Sequence, residues 1–375
     1  MNKKELNEIK KTFNPEKSVI NKICGCYVDN EKNIRFKTCD SYHTLSEEEA
    51  FKYFEIFKKT LSGTIGKNLF NIDFPLESEN EGGTQNFLYK LLKSDLEDEN
   101  ILDEYYKKII DNYVYESNYY IILIHGIYDV PGKTSDGLEM FDASDSIYEY
   151  ILTSICPVNL DKAGLSYDTE KNRVGERIRN WIVSPPSNGF LFPAFNDRTA
   201  DIHSAMYFSK DSNNLQRKFL TNILGEESTA TQNDQKETFA HLITNTLGDE
   251  CDFNIVKTIH ENINEMIERN SENPDPLILT KNEITTVFEE SEVSDTQLET
   301  LEKSLNNYKD ENEKNIELIA SNVVNTRTLD VKAANVSIKV NSDFLNLIRE
   351  EMIDGKKCLV IELSDNVEIN GIPVK

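Results

Sequence analysis

Six consecutive apolar residues, Tyr119–Ile124, constrain the fold of this chain more than any other segment. A membrane-spanning helix needs about 20 such residues, so the run is far too short to cross a bilayer. An uninterrupted apolar run of this length, followed by Gly126, reads as a buried strand spanning Tyr119–Ile127. A buried strand needs partners, and the flanking sequence supplies them. Ile20–Val28 and Ile34–Thr38 flank a polar turn and predict a hairpin. Leu69–Phe74, Ile147–Val158, Phe190–Phe195 and Ile202–Phe208 are further strand signals. Between them, Lys3–Phe13, the segment opening at Ser46, Asn86–Lys93 and Glu99–Tyr113 carry helical spacing. Ser46 and Glu49 stand at capping-box separation, and Asn14-Pro15 stops the first helix. Tyr128–Ser146, rich in Gly, Asp and Ser, reads as a loop, and Glu170–Ile182 as a basic amphipathic helix. The expected fold class is α+β, with a mixed-sheet body and flanking helices over residues 1–224, as one domain or two intimate lobes.

The remaining sequence changes character at Gly225. Residues 226–317 are helical in pattern, with capping boxes at Thr280/Glu283 and Ser294/Gln297 and a break at Asn273–Pro276. They hold 23 acidic against 7 basic residues, a net of −16 in a chain of −25. We therefore expect an acidic helical segment over 225–320. Residues 321–375 alternate as a small β-rich domain, with strands in Leu329–Val340, a short helix Asp343–Met352, and strands Lys357–Leu363 and Val367–Ile369. That is a ββαββ pattern.

Charge and cysteine content exclude several classes. A net charge of −25 opposes phosphate backbones and anionic membrane faces, so neither direct nucleic-acid binding nor membrane association is expected. The six cysteines are too scattered for a disulfide framework. With no signal-peptide pattern at the N-terminus, the expectation is a soluble protein of a reducing, cytoplasmic compartment.

Six segments approach known chemistry. Gly126–Thr134 follows a strand and ends Gly132-Lys133-Thr134, but five residues separate its glycines and Pro131 offers no N–H to a phosphate. A surface turn fixed by Pro131 and Gly132 explains it equally, leaving Asp129 and Lys133 as weak ligand-binding candidates. Cys24 and Cys26 lie on one strand face near Cys39 and His43, and could be half of a metal site or two buried thiols. Asp136, Glu139, Asp142 and Asp145 offer carboxylates without the order of a calcium loop. Asp197, Arg198 and His203, with Asp201, form a polar cluster between two aromatic strands, where an Asp–His pair could do acid–base work or simply stabilise a turn. Gly82-Gly83-Thr84-Gln85 is one residue longer than the Gly-Gly-Gln of translation release factors, and the chain's charge is wrong for a ribosome. Ile124-His125-Gly126 would suit an α/β-hydrolase only if a Gly-x-Ser-x-Gly elbow were present, and there is none. No cofactor is predicted.

Seven segments taken together resemble a known family. They are Ile23–Asp29 (ICGCYVD), Phe51–Gly66 (FKYFEIFKKTLSGTIG), Tyr128–Lys133 (YDVPGK), Met140–Asp145 (MFDASD), Gly189–Arg198 (GFLFPAFNDR), Gln235–Phe239 (QKETF) and Ile353–Glu362 (IDGKKCLVIE). In combination they resemble the bacterial domain-of-unknown-function family 4317, end to end. The resemblance implies a bacterial cytosolic protein and carries no activity, substrate or functional residue. The expected function is a non-enzymatic interaction or regulatory protein, with a protein partner of basic character sought through 226–317. The alternatives are an enzyme or binding protein for a small phosphorylated or polar ligand, using 128–146 and 196–203, and more distantly a translation-associated factor.

Overall fold

The computed structural model describes residues 1–15, 18–133, 139–333, 335–363, 367–369 and 371–374, with the side chains of 133, 139–145 and 374 left aside. The chain divides into two compact units, Met1–Thr231 and Gln232–Lys375. The architecture is α+β.

In chain order the first unit runs α1 Lys3–Thr12, β1 Ile20–Val28, β2 Ile34–Ser41, α2 Glu47–Thr60, β3 Leu69–Asp73, α3 Thr84–Lys93, α4 Glu99–Asn112, β4 Tyr119–Lys133 and β5 Glu139–Leu160. It continues with β6 Leu165–Asp168, β7 Arg173–Glu176, β8 Trp181–Val183, β9 Asn188–Phe192, β10 Ala194–Asn196, β11 Thr199–Asp201, β12 Ser204–Ser209 and α5 Arg217–Leu224. One sheet has the order β2-β1-β4-β5-β9-β12-β3, with β8 also paired to β5. A mixed sheet was expected, yet every described pairing in it is antiparallel.

Both faces of this sheet are covered, which explains the apolar run at its centre. Side chains alternate along a strand, so Tyr119, Ile121 and Leu123 pack with α3, α4 and α5 on one face. Ile122 and Ile124 pack with Phe54 and Phe57 of α2 and Ile9 of α1 on the other. Each such fully buried side chain contributes roughly 1.5–3 kcal/mol. The alternation is repeated by polar groups on β5. Thr153 bonds the Tyr105 hydroxyl on the α4 side, while Ser154 Oγ lies 2.6 Å from Thr60 Oγ1 on the α2 side.

Two further sequence expectations fail in the first unit. Residues 128–133 do not open a loop: β4 continues to Lys133 and pairs with a β5 that begins at Glu139. Pro131 and Gly132 had suggested a turn, but the strand accommodates them where the register shifts, a position that tolerates proline. Asp136 lies outside the described residues, as do the side chains of Lys133, Glu139, Asp142 and Asp145. The basic helix expected over Glu170–Ile182 is instead extended. Its first part turns back as the β6–β7 hairpin, where Asp168 accepts the backbone N–H groups of Glu170 and Lys171 and Asn172 takes a left-handed φ of 46°.

The second unit holds α6 Gln232–Leu247, α7 Phe253–Arg269, α8 Lys281–Glu289, α9 Asp295–Asn312 and the short α10 Ala320–Val323. Both predicted capping boxes are formed, at the start of α8 and of α9. Phe239, Leu242, Ile243 and Leu247 of α6 pack against Ile259, Phe288, Leu301 and Leu305. Strand pairs follow, at Thr328–Ala333 with Val336–Asn341, Ile348–Ile353 with Lys356–Ile361, and Val367–Ile369 with Ile372–Val374. The helix expected over Asp343–Met352 is replaced by a 3-10 turn, Ser342–Leu347, and a strand. There Arg349, Glu350 and Glu351 pair with Val360, Leu359 and Cys358, and this cross-strand pairing outweighs their helix propensity.

Candidate functional site

The polar cluster between the aromatic strands is a tight turn. Asp197 and Arg198 take left-handed φ values of 49° and 59° between β10 and β11, the geometry of a two-residue hairpin loop. The Arg198 guanidinium meets Glu8 of α1 through Nε at 3.2 Å and Nη2 at 3.0 Å, and Nη2 also donates to the Pro131 carbonyl at 2.8 Å. The Asp197 N–H donates to Glu5 at 2.8 Å, and the Tyr128 hydroxyl to Glu8 at 3.2 Å. Arg198 therefore joins the turn, α1 and the outer part of β4. Glu5 and Glu8 have no sequence signal that would mark them as its partners.

The other candidates do not converge on this point. Tyr128 and Val130 pack on the α1 and α2 side of the sheet, so the alternation turns the exposed Asp129 to the opposite face. Asp201 accepts from Asn196 Nδ2 (2.7 Å), Ser204 Oγ (2.6 Å) and the backbone N–H of His203 (3.0 Å). Burial pushes the Asp201 carboxyl up, but these bonds outweigh it and hold the group below its ordinary value. The His203 ring turns elsewhere, with Nδ1 at 2.7 Å from Glu79, so no Asp201–imidazole hydrogen bond forms. Cys24 is joined to Cys39, directly opposite on β2, as a disulfide. Cys26 is a buried free thiol, pushed up to about 12 by desolvation, and so stays protonated at neutral pH.

A second cluster has only a faint trace in the sequence. His125, fully buried on β4, places Nε2 at 3.0 Å from Glu149 Oε1 on β5 and 3.5 Å from Asp95 Oδ1 just beyond α3. Lys93 pairs with the other Glu149 oxygen. Desolvation raises Glu149, yet hydrogen bonds from Lys93 and His125 bring it below its ordinary value. An ionised Glu149 can only accept, so Nε2 must carry the proton between them. Among the described residues Asp95, His125 and Glu149 are the set whose ligand atoms lie within 4.8 Å of one another, a donor arrangement that could hold a divalent cation. Two observations weigh against that use. The Lys93 ammonium already sits on Glu149, and among the described residues His125 Nδ1 finds no partner to orient the ring for a metal. The arrangement is an ion-paired plug on the interior strands β4 and β5. Its one sequence signal is a histidine inside an apolar strand.

A third feature is exposed. Between β5 and β9, residues 161–183 present Leu165, Tyr167, Val174, Ile178, Trp181 and Ile182 to solvent, with Ile178 84% and Trp181 55% accessible. The same segment holds three of the chain's nine arginines, Arg173, Arg177 and Arg179, and its single tryptophan. Arg177 pairs with Asp161, and Arg179 Nε donates to the Asp161 carbonyl at 2.7 Å, which ties the arm's two ends together. Over Lys171–Val183 there are four basic residues and one acidic, the reverse of the chain's overall balance.

A family model described as Domain of unknown function (DUF4317) matches residues 1–372. The chain belongs to that family. The match covers both compact units, so the antiparallel sheet, the acidic helices and all but the last strand of the terminal hairpins fall within the DUF4317 region. No curated protein matches the chain. Among the described residues no helix is long and apolar enough to cross a membrane.

Proposed function

We propose that this DUF4317 protein is a non-enzymatic interaction protein whose 161–183 arm docks a protein partner. The partner's surface would be apolar and edged with carboxylates. The supporting observation is the exposure of Leu165, Tyr167, Val174, Ile178, Trp181 and Ile182 beside three arginines. Isolated exposed apolar residues need no explanation, but a group of them on one short arm marks an interaction surface. Trp and Arg are also the residue types that most often dominate binding energy at interfaces. The arm as a whole has five basic and four acidic residues, and the local positive balance of Lys171–Val183 favours an anionic partner over the basic one sought through 226–317.

The small-ligand reading has less support. An anionic ligand at Arg198 would have to displace both Glu8 and the Pro131 carbonyl. The test uses the full chain carrying a photo-crosslinker at Tyr167, in extract of the source organism. One partner should be captured by the wild-type arm, and W181A combined with R173E should lose that product while keeping its unfolding transition. Equal capture by wild type and variant would overturn the proposal.

A further inference from the structure

Four aromatic rings meet at a recess whose lining also includes Val183, the last residue of the arm. β2, β1 and β4 are neighbours, and their registers place Phe36 opposite Tyr27 and Tyr27 opposite Tyr120. Tyr27 and Phe36 stack with centroids 5.4 Å apart and planes 12° apart, and Phe36 and Tyr120 lie 6.2 Å apart at 41°. Tyr53 of α2 closes the group beside Tyr120. The rings border this recess of about 300 Å³, into which Asp40 of β2 and Glu49 of α2 also open, and among the described residues no lysine or arginine lines it. Burial raises the Tyr53 phenol above its ordinary value, and Tyr120, Glu49 and Asp40 add to that shift, which places both carboxylates within electrostatic reach of the rings.

Gly25 makes the recess possible. A Cβ there would lie 1.8 Å from the Tyr120 hydroxyl and 2.4 Å from its ring, so the glycine is the gap into which Tyr120 leans. The Asn118 amide donates to the Tyr27 hydroxyl at 3.0 Å and steadies that ring.

We infer that this recess is an aromatic cage for a small organic cation of the quaternary ammonium class. The faces of aromatic rings carry negative potential, and several of them around one space attract a cation that is too bulky and too weakly hydrated for a carboxylate alone. Asp40 and Glu49 supply net negative charge at the rim, which a neutral guest would leave uncompensated and an anionic one would meet as repulsion. The volume accommodates a trimethylammonium head with a short chain.

Titration calorimetry on the full chain tests this, with choline chloride as the probe beside its neutral tert-butyl isostere and phosphatidylcholine vesicles. Choline should bind, and the isostere should bind at least about 5-fold more weakly, since only the charge differs. F36A removes one half-exposed ring and should weaken choline about 2- to 30-fold. D40N with E49Q should weaken it without removing any ring. Retained circular dichroism shows that each variant is folded. Equal affinity for choline and isostere, unchanged affinity in F36A, binding to vesicles alone, or no heat with choline at tens of millimolar would each overturn the assignment.

Discussion

Gly189→Ala is expected to destabilise the first unit, although glycine to alanine in a strand normally does the reverse. Gly189 lies on β9 between Ser154 of β5 and Phe208 of β12, with strands on both sides. Replacing glycine where the backbone suits alanine gains about 0.4–1 kcal/mol from the unfolded chain. Here the new Cβ would sit 2.3 Å from the Thr153 carbonyl oxygen and 2.6 Å from Thr60 Cγ2. The first is backbone of a strand paired on both edges. The second belongs to a residue held by its hydroxyl to Ser154 at 2.6 Å. Neither can retreat without breaking a bond, so the overpacking cost of about 1–3 kcal/mol exceeds the entropic gain. The net loss should be about 1–2 kcal/mol, roughly a 5- to 30-fold fall in the folded-to-unfolded ratio. Urea titration followed by near-UV circular dichroism reads it, since the buried Tyr105, Tyr119 and Tyr148 lie in the same unit. Gly164→Ala, with nothing within 4 Å of its new Cβ, is the control and should stay within about 0.5 kcal/mol of wild type. If Gly189→Ala proves as stable as the control, the packing argument is wrong.

Two further outcomes follow from the polar clusters. Arg198→Met should cost about 2–3 kcal/mol in urea titration, because both side chains of its pair with Glu8 are only 17% exposed and the Pro131 carbonyl loses a donor; adding Glu8→Gln should recover part of that loss in a double-mutant cycle. Glu149 is held below its ordinary 4.5 in the folded state, so the unfolded chain binds the proton more readily in acid. Its contribution is complete above the unfolded value and is lost as pH falls through the folded one, so wild type and Glu149→Gln should converge in unfolding midpoint as pH drops from about 6 to about 3.

Features that depend on near neighbours were legible in the sequence. The caps of α8 and α9 involve residues three apart, and the helix starts fell where Thr280 and Ser294 predicted them. The Tyr119–Ile124 run was legible as a buried strand because continuous apolarity demands burial whatever lies beyond it. Segments whose conformation is set by partners were misread. Pro131 suggested a turn because proline breaks most ladders, and only the β5 pairing, with its register shift, shows it inside a strand. Glu170–Ile182 has helical spacing, but the β6–β7 turn and the pairing of β8 with β5 draw it out.

The sites divide in the same way. His125 stands out in the sequence as a polar residue in an apolar strand, but Asp95 and Glu149 reach it from elsewhere in the chain through strand pairing and a helix end. Gly25 was legible only as the spacer of a Cys-x-Cys pair, and its role is to receive the Tyr120 ring from the neighbouring strand. The sequence by itself determined that the chain must bury its central strand, that 226–317 would be helical, and where the excess negative charge would lie. Only the tertiary structure decided which charges neutralise one another, which aromatic rings share a recess and which apolar side chains remain in water. Those outcomes depend on strand register and on which helix covers which face, and residues distant along the chain settle both.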